Sequence, residues 1–265
     1  MADFLEDIFA LKTREIEEKR KFLSFAEFFN IAKNSPPPLP LSSFLLKRRS
    51  IIAEIKRASP SKGTLFRSSH VEKLARIYEK NGAAAVSVVT EERYFNGCLH
   101  DLHRLKGQLR IPALRKDFIV DEYQILESKY SGAAAVLLIT ALLSRTKLMT
   151  LLDMVTDLGM EALVEVHNRE ELQTALYADA KIIGINNRNL KTFIVDINTS
   201  KELLPLIPDS KIKIVESGIK DERDLMAFDG HNIHAFLIGE ALVTASNPGE
   251  TLKKFCSVLR NDDKD

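Results

Sequence analysis

Hydrophobic spacing divides this chain into two parts. Near its start, Phe4, Ile8 and Leu11 recur at the three- and four-residue spacing of a helix, and residues 22–31 repeat that character. Residues 35–40 read Ser-Pro-Pro-Pro-Leu-Pro, which is incompatible with a helix and predicts extended chain. We therefore predict a helical arm over residues 1–48 that packs on the main body of the protein.

From residue 51 onwards, short apolar strands alternate with amphipathic helices. An internal repeat supports this: Asn-Gly-Ala-Ala-Ala-Val from residue 81 returns as Ser-Gly-Ala-Ala-Ala-Val from residue 131, and a looser copy begins at residue 158. In each copy a glycine predicts the end of a helix, and a strand follows at once. The intervening helices carry a single apolar face, as in residues 71–78 and 148–155.

Eight strands are predicted, at residues 51–56, 84–89, 112–115, 134–139, 162–165, 182–186, 213–216 and 235–238. Strands that alternate with helices predict a parallel sheet with right-handed crossovers. Eight such units in about 215 residues favour the α/β class and a closed (β/α)8 TIM barrel over residues 49–265, with an N-terminal helical extension. An open doubly wound sheet is the alternative, but no glycine-rich dinucleotide fingerprint follows the first strand.

Composition narrows the function classes. The 265 residues carry a formal net charge of +1, which gives no electrostatic reason to expect a nucleic acid or an anionic membrane as partner. No apolar run approaches the length of a membrane span, and the first residues lack the basic-then-apolar pattern of a secretory signal. The chain has two cysteines, Cys98 and Cys256, which lie far apart in sequence, and we therefore expect a cytoplasmic protein. We also expect either a monomer or a weak homodimer.

Charged and polar residues recur where the predicted strands end. The catalytic groups of a (β/α)8 barrel lie at the carboxyl ends of its strands, so the candidates are Glu54, Lys56, Lys116, Glu165, Asn186, Arg188, Glu216 and Ser217. Neighbouring carboxylates and ammonium groups suit general acid–base catalysis, because each shifts the pKa of the other, so that a lysine could serve as an acid near neutral pH. A purely structural ion pair between Glu54 and Lys56 is the alternative for the first strand.

Two glycine-containing turns, Ser217-Gly218 and Gly239-Glu240, follow the seventh and eighth strands. The loops after these strands form the usual phosphate site of such barrels, which predicts a phosphorylated small molecule as substrate. Ordinary turns are the other interpretation. His100 and His103 lie three residues apart without an apparent third ligand, and we predict neither a metal site nor a cofactor.

These segments resemble the indole-3-glycerol phosphate synthase family. The longest matching stretch, AEIKRASPSKG at residues 53–63, is followed by matches at residues 90–97, 114–118, 164–167, 183–190 and 216–219. The resemblance extends from the arm to the eighth strand. It implies ring closure, decarboxylation and dehydration of 1-(2-carboxyphenylamino)-1-deoxyribulose 5-phosphate to indole-3-glycerol phosphate, without a metal or cofactor.

The resemblance also implies a role for individual residues. Lys116 is similar to the general acid that protonates the substrate carbonyl, and Glu165 to the group that handles protons in the dehydration. Glu54 would orient the groups that transfer these protons or take part in the transfer itself. Lys56 would hold an anionic group of the substrate. Substrate contacts near the reacting centre are implied for Asn186 and Arg188.

The resemblance assigns the remaining contacts to the walls and rim of the site. Ser59 would meet the carboxylate of the anthranilate moiety, and an apolar wall for its ring would consist of Phe95, Leu114, Phe118, Leu137 and Leu190. Glu216 and Ser217 would contact substrate, and the phosphate turn would comprise Ser217, Gly218, Gly239 and Glu240. Relatives frequently carry serine at the position of Glu240, so we expect only its backbone N–H to meet the phosphate.

Three function classes remain open at this point. The first is the synthase. The second is another barrel enzyme, either an isomerase of a phosphorylated ribosyl amine or a lyase that forms a Schiff base on Lys56 or Lys116. The third is a phosphate-binding barrel without catalytic activity, which would leave unused a set of charged groups that cost stability.

Overall fold

Eight parallel strands close into a barrel in the computed structural model, which describes residues 4–65 and 70–261. The strands are β1 Ser50–Ile55, β2 Ala85–Val89, β3 Ala113–Lys116, β4 Ala135–Ile139, β5 Glu161–Val166, β6 Ile182–Asn186, β7 Ile212–Glu216 and β8 Ala235–Ile238. Each strand pairs with the next along the chain, and β8 pairs with β1 to close the barrel. The predicted barrel is confirmed, and each predicted strand lies within one residue of an observed strand at both ends.

Helices surround the barrel in the order that the alternation predicts. The helices are α1 Phe4–Phe22, α2 Phe25–Lys33, α3 Leu41–Leu45, α4 Val71–Lys80, α5 Leu99–Leu105, α6 Glu122–Tyr130, α7 Arg145–Asp157, α8 Arg169–Tyr177, α9 Asn198–Leu203, α10 Glu222–Met226, α11 Glu240–Val243 and α12 Pro248–Asn261. Helices α4 to α10 each follow one strand, and α11 and α12 follow β8. The repeated glycines Gly82, Gly132 and Gly159 all have a positive φ, as expected for residues that end α4, α6 and α7.

Side chains of each strand alternate between the helix layer and the barrel interior. On β1, Ile51 and Ala53 belong to the core under the helices, whereas Ile52 belongs to the inner core. At the next inward position β1 carries a carboxylate. The inward residues of β3, β5 and β7 likewise change from apolar to charged towards the carboxyl end of the strand. The inward residues towards the carboxyl ends are therefore Glu54, Lys116, Glu165, Asn186 and Glu216.

The N-terminal helices contact the barrel at several levels. Ile8 of α1 and Leu41 and Leu45 of α3 are fully or almost fully buried in the same cluster as the barrel interior. Ser42 of α3 donates hydrogen bonds from its backbone N and its Oγ to the Glu161 carboxylate at the start of β5, at 2.8 and 2.5 Å. Among the described residues, no helix combines the length and apolar character needed to cross a membrane.

Candidate active site

An open cavity of about 620 Å³ lies at the carboxyl ends of the strands. Sixteen of the predicted site residues line it, namely Glu54, Lys56, Ser59, Phe95, Lys116, Phe118, Leu137, Glu165, Asn186, Arg188, Leu190, Glu216, Ser217, Gly218, Gly239 and Glu240. Leu114 does not: it is fully buried in the inner core, because it is the inward residue one step below Lys116 on β3. The assignment of Leu114 to the ring wall is therefore wrong.

Lys116 is the centre of a buried charge cluster. Its Nζ lies 3.1 Å from Oε2 of Glu165 and 3.5 Å from Oε2 of Glu216. Burial alone would lower the pKa of Lys116, but the carboxylates of Glu165, Glu216 and Glu54 raise it well above its ordinary value. The surrounding carboxylates therefore favour the protonated, charged form of Lys116.

A second lysine in the site also pairs with a carboxylate. Lys56 Nζ lies 2.8 Å from Oε1 of Glu54, which is buried. Burial would raise the pKa of Glu54, but the charges of Lys56 and Lys116 lower it. Gly239 leaves the space for this carboxylate, since a Cβ at Gly239 would lie 3.0 Å from Cδ of Glu54 and still closer to Oε1. The sequence indicates Gly239 only as a turn residue and does not reveal this contact.

Glu165 is held as an anion by groups on three sides. Besides Lys116, Nδ2 of Asn186 donates to its Oε1 at 3.1 Å, and Nε2 of His167 lies 3.2 Å from the same oxygen. Burial would raise the pKa of Glu165, but Lys116, His167 and Asn186 together lower it far below its ordinary range. The surrounding groups therefore favour the ionised form of Glu165.

His167 connects Glu165 to a second carboxylate behind the site. Its Nδ1 lies 2.9 Å from Oε2 of Glu171 on α8. Burial would lower the pKa of His167, but hydrogen bonds to Glu165 and Glu171 raise it to about 10. The structure places the ring of His167 next to Glu165. The signal available in the sequence is its inward position two residues after Glu165.

Glu216 differs from the other carboxylates. Both of its oxygens are buried without a hydrogen-bond partner among the described residues. Burial, reinforced by the negative charges of Glu165 and Glu54, raises its pKa to about 8 against the opposing effect of Lys116. Gly184 on β6 leaves the space for this side chain, because a Cβ there would lie 3.2 Å from Cδ of Glu216 and closer still to Oε1. Sequence reasoning missed Gly184, although a glycine inside a strand indicates a close approach.

The loops above the strands are linked across the cavity. Arg188 donates from Nη1 to the carbonyl of Phe193 at 3.1 Å and to Oγ of Ser61 at 3.4 Å, which joins the loop after β6 to the loop after β1. Lys62 in the loop after β1 lies 3.5 Å from Oε1 of Glu240. Ser59 is buried, and its Oγ has no hydrogen-bond partner among the described residues.

The turn after β7 has an unusual backbone. Ser217 has φ +63° and Gly218 has φ +91°, so two successive residues adopt the left-handed region. A non-glycine residue there is strained and persists only where the surroundings hold it. Nδ2 of Asn187 donates to the carbonyl of Ser217 at 3.0 Å and helps to hold the turn. Ser217 and Gly218 both line the cavity.

Aromatic rings form one wall of the cavity, and the first of them comes from the arm. Phe4 of α1 packs edge-on against Tyr94, Phe193 and Phe118, with ring centroids 5.1, 5.4 and 5.8 Å apart. Phe95 and Phe118 are tilted against each other at 6.2 Å. Sequence reasoning missed Phe4 as a site residue, because helical spacing indicates that it is buried but not where.

The described residues contain no group of three or more His, Cys, Asp or Glu side chains placed to hold a metal ion. His100 and His103 stack with ring centroids 6.2 Å apart. The cavity contains the ammonium group of Lys116 between two carboxylates, Glu165 with a lowered pKa and Glu216 with a raised pKa. Such a set can donate a proton at one position and accept one at another.

Comparison with known proteins identifies close relatives. The sequence profile of one family, indole-3-glycerol phosphate synthase, matches residues 5–255. The indole-3-glycerol phosphate synthase of Carboxydothermus hydrogenoformans is 43% identical over 259 residues, 94% of this chain and 98% of the relative. That of Endomicrobium trichonymphae is 48% identical over 205 residues, 77% of this chain and 80% of the relative.

Solved structures share the barrel at much lower sequence identity. KGPDC from Streptococcus mutans superposes with a TM-score of 0.63 at 13% identity and covers 81% of this chain and 99% of its own. The 3-hexulose-6-phosphate synthase of Salmonella typhimurium superposes with a TM-score of 0.62 at 10% identity, covering 80% of this chain and 99% of its own. At such identities the similarity concerns the fold alone.

Proposed function

Because the chain belongs to the indole-3-glycerol phosphate synthase family, we propose that the cavity at its barrel mouth carries out that reaction with the residues described above. The enzyme is a carboxy-lyase of tryptophan biosynthesis that acts on a phosphorylated small molecule. The observation that carries the assignment of roles is the position of Lys116 between two carboxylates of unequal pKa.

Three parts of the cavity match three parts of the substrate, 1-(2-carboxyphenylamino)-1-deoxyribulose 5-phosphate. The turns Ser217-Gly218 and Gly239-Glu240 take the phosphate. The aromatic wall takes the anthranilate ring, and the unpaired hydroxyl of Ser59 donates to the ring carboxylate. Holding both ends of a flexible chain brings the aromatic carbon to the carbonyl, and such positioning supplies several kcal/mol of the barrier, on the order of 7–11 in well-oriented cases.

Lys116 supplies the first proton. As the ring carbon attacks the carbonyl and the new carbon–carbon bond forms, the carbonyl oxygen gains negative charge and takes a proton from the ammonium. The raised pKa of Lys116 suits this step, because the group is fully protonated beforehand and the alkoxide is a strong base. Loss of carbon dioxide leaves its bonding electrons in the ring and restores aromaticity, so that no cofactor is needed as an electron sink.

Glu165 acts in the dehydration. The hydroxyl takes up one proton and leaves as water, and the new five-membered ring gives up one proton to form the indole, so that the dehydration has no net change in protons. Glu165 is ionised beside Lys116, His167 and Asn186, and its carboxylate accepts that proton. Glu54 keeps Lys56 in place at 2.8 Å, and Lys56 faces the anionic groups of the substrate.

The test is turnover of the substrate, followed by the fluorescence of the indole product. We expect Lys116→Met to lower kcat by about 10²–10⁴-fold, since the proton donor is lost. Its affinity for inorganic phosphate should stay unchanged. Lys147→Met is the matched control, because that lysine pairs with Glu122 on α6 outside the cavity. A folded Lys116→Met protein with near wild-type kcat would refute the assignment.

A Schiff-base lyase is less well supported by the charges. Imine formation needs a neutral amine, and the three carboxylates around Lys116 keep it protonated. Incubation with substrate and borohydride should therefore leave the mass of the protein unchanged, and a trapped adduct would favour the lyase.

We also infer a cytoplasmic protein that works as a monomer or weak homodimer without nucleic acid or membrane. In support, the net charge is +1, which gives no electrostatic reason to expect a nucleic acid or an anionic membrane as partner. Analytical ultracentrifugation tests the oligomeric state, and a tight higher oligomer would contradict it.

A further inference from the structure

A lysine of the N-terminal arm lies buried beside the active site. Lys12 on α1 is only 4% exposed, although lysine side chains are seldom buried. Its Nζ lies 3.2 Å from Oδ1 of Asp117 and 3.1 Å from Oε2 of Glu15. Because a buried ammonium is costly unless it is paired, its partner Asp117 indicates what this lysine is for.

Asp117 follows Lys116 directly and ties together the chain around it. Its Oδ2 accepts hydrogen bonds from Oγ1 of Thr90 at 2.6 Å and from Nη2 of Arg115 at 3.0 Å, and its Oδ1 accepts one from the backbone N of Phe118 at 2.9 Å. One carboxylate thus joins the end of β3 to the residue that follows β2. Through Lys12 it also joins both to α1.

The positions of its neighbours explain how this clamp acts on the active site. Lys116 points into the barrel and Arg115 to the opposite side of β3, and Asp117, which follows the strand at the edge of the cavity, pairs with Arg115. Arg115 is fixed further by Glu127 of α6, with Nη1 at 3.3 Å from Oε2. When both neighbours are held, the peptide that carries Lys116 is held as well.

The charges of this cluster balance with Lys12 in place. Lys12, Arg115 and Lys19 oppose Glu15, Asp117 and Glu127. Removal of Lys12 takes away the cation that pairs with Oδ1 of Asp117, whereas removal of Lys19 takes away a partner of Glu127. Without Lys12, Asp117 would be free to move towards water, and the end of β3 would move with it.

We propose that Lys12 is a positioning residue for the ring-closure step, which holds Asp117 and thereby the end of β3 from which Lys116 reaches the substrate. This inference rests on the proposed function, because it assumes that Lys116 delivers the first proton. It gives the arm a catalytic purpose: α1 also brings Phe4 to the cavity, two turns before Lys12. One helix thus contributes to the ring wall and holds the residue next to the proton donor.

The experiment compares Lys12→Met with the wild-type protein in the turnover assay. We expect kcat to fall about 10- to 100-fold, because misplacement of a catalytic group by about 1 Å has an effect of that order. Affinity for inorganic phosphate should change less than twofold, since the phosphate turns follow β7 and β8. Lys12→Arg restores the charge and should recover at least half of the lost kcat on a logarithmic scale.

Lys19→Met is the matched control. Lys19 lies two turns further along α1 and pairs with Glu127 at 2.6 Å, but it does not touch Asp117. Its kcat should stay within twofold of wild type. If Lys12→Met does not fold at the assay temperature, Lys12→Gln takes its place, since glutamine keeps a hydrogen-bond donor for Asp117 without the charge.

The outcomes separate this inference from the proposed function. A wild-type protein without turnover would refute the function itself. Normal wild-type turnover combined with a folded Lys12→Met or Lys12→Gln protein whose kcat is within twofold of wild type would overturn only the role of Lys12. An equal loss in Lys12→Met and Lys19→Met would also overturn it, because the arm would then act through general stability.

Discussion

Replacement of Gly184 by alanine tests whether the site depends on the space reserved for Glu216. Gly184 is an inward position of β6, and pairing with β5 and β7 on both sides fixes its backbone. A methyl group there would lie 2.9 Å from Cδ1 of Leu163 and 3.2 Å from Cδ of Glu216. Ordinary carbon contacts are about 3.5–4.0 Å, so the Glu216 side chain, whose Oε1 lies closer still to the added methyl group, must retreat by roughly 1 Å.

That retreat has two measurable consequences. Overpacking of a rigid core lowers the free energy of unfolding by about 1–3 kcal/mol. Displacement of Glu216 from its place 3.5 Å from Lys116 disturbs the proton donor, and we expect kcat to fall by as much as about 100-fold. Urea unfolding at 25 °C measures the first quantity, and indole fluorescence in steady-state turnover measures the second.

Gly159→Ala separates these consequences. This glycine ends α7 with φ +69°, and no atom lies within 4 Å of a Cβ placed on it. Alanine there costs about 1–2 kcal/mol through its left-handed conformation and should leave kcat unchanged. If Gly184→Ala keeps kcat within twofold of wild type, the space at Gly184 does not set the position of Glu216, and the reasoning fails.

Three further substitutions test other parts of the site. In the folded protein the pKa of His167 is about 10, above the ordinary 6.5, so its stabilisation of the fold is full below about pH 6.5 and is lost as the pH rises through 10. The difference in free energy of unfolding between His167→Gln and wild type, measured in urea, should therefore shrink over this pH range. A constant difference would contradict the raised pKa. Ser59→Ala removes a buried hydroxyl that has no hydrogen-bond partner among the residues that the structure describes, so the free energy of unfolding should not fall, whereas KM should rise severalfold at constant kcat. An unchanged KM would argue against the carboxylate contact. Phe4→Ala removes three edge-on ring contacts. A loss of about 1.4 kcal/mol in substrate binding, the size of one aromatic contact, should raise KM about tenfold. A KM equal to wild type would exclude Phe4 from the ring wall.

The barrel and the charged ends of its strands are predictable because both depend on local periodicity. A buried parallel strand is an apolar run, and its inward residues recur every second position, so Glu54, Lys116, Glu165 and Glu216 could be assigned to one side of the sheet. The distance of an inward residue from the mouth of the barrel is harder to predict. Leu114 has the correct direction, but it lies one step too low to reach the cavity.

Features that depend on contacts distant in sequence were not predictable. Phe4 and Lys12 look like ordinary residues of an amphipathic helix, and nothing in their spacing reveals that they meet the end of β3, more than 100 residues away. The direction of the pKa shift of Lys116 depends on whether burial or the surrounding carboxylates dominate. That balance follows from distances in three dimensions, which the sequence does not contain.

The pairing of β8 with β1 has a consequence for how the protein acquires activity during folding. Glu54 stands on the first strand, and the gap that accommodates it is provided by Gly239, directly after the last strand. A chain that lacks β8 can form helices and most of the sheet but not this part of the site. Contacts of such long sequence separation form late, so enzyme activity should return with the slowest refolding phase, after most of the helical circular dichroism. Turnover therefore serves as a kinetic probe of barrel closure.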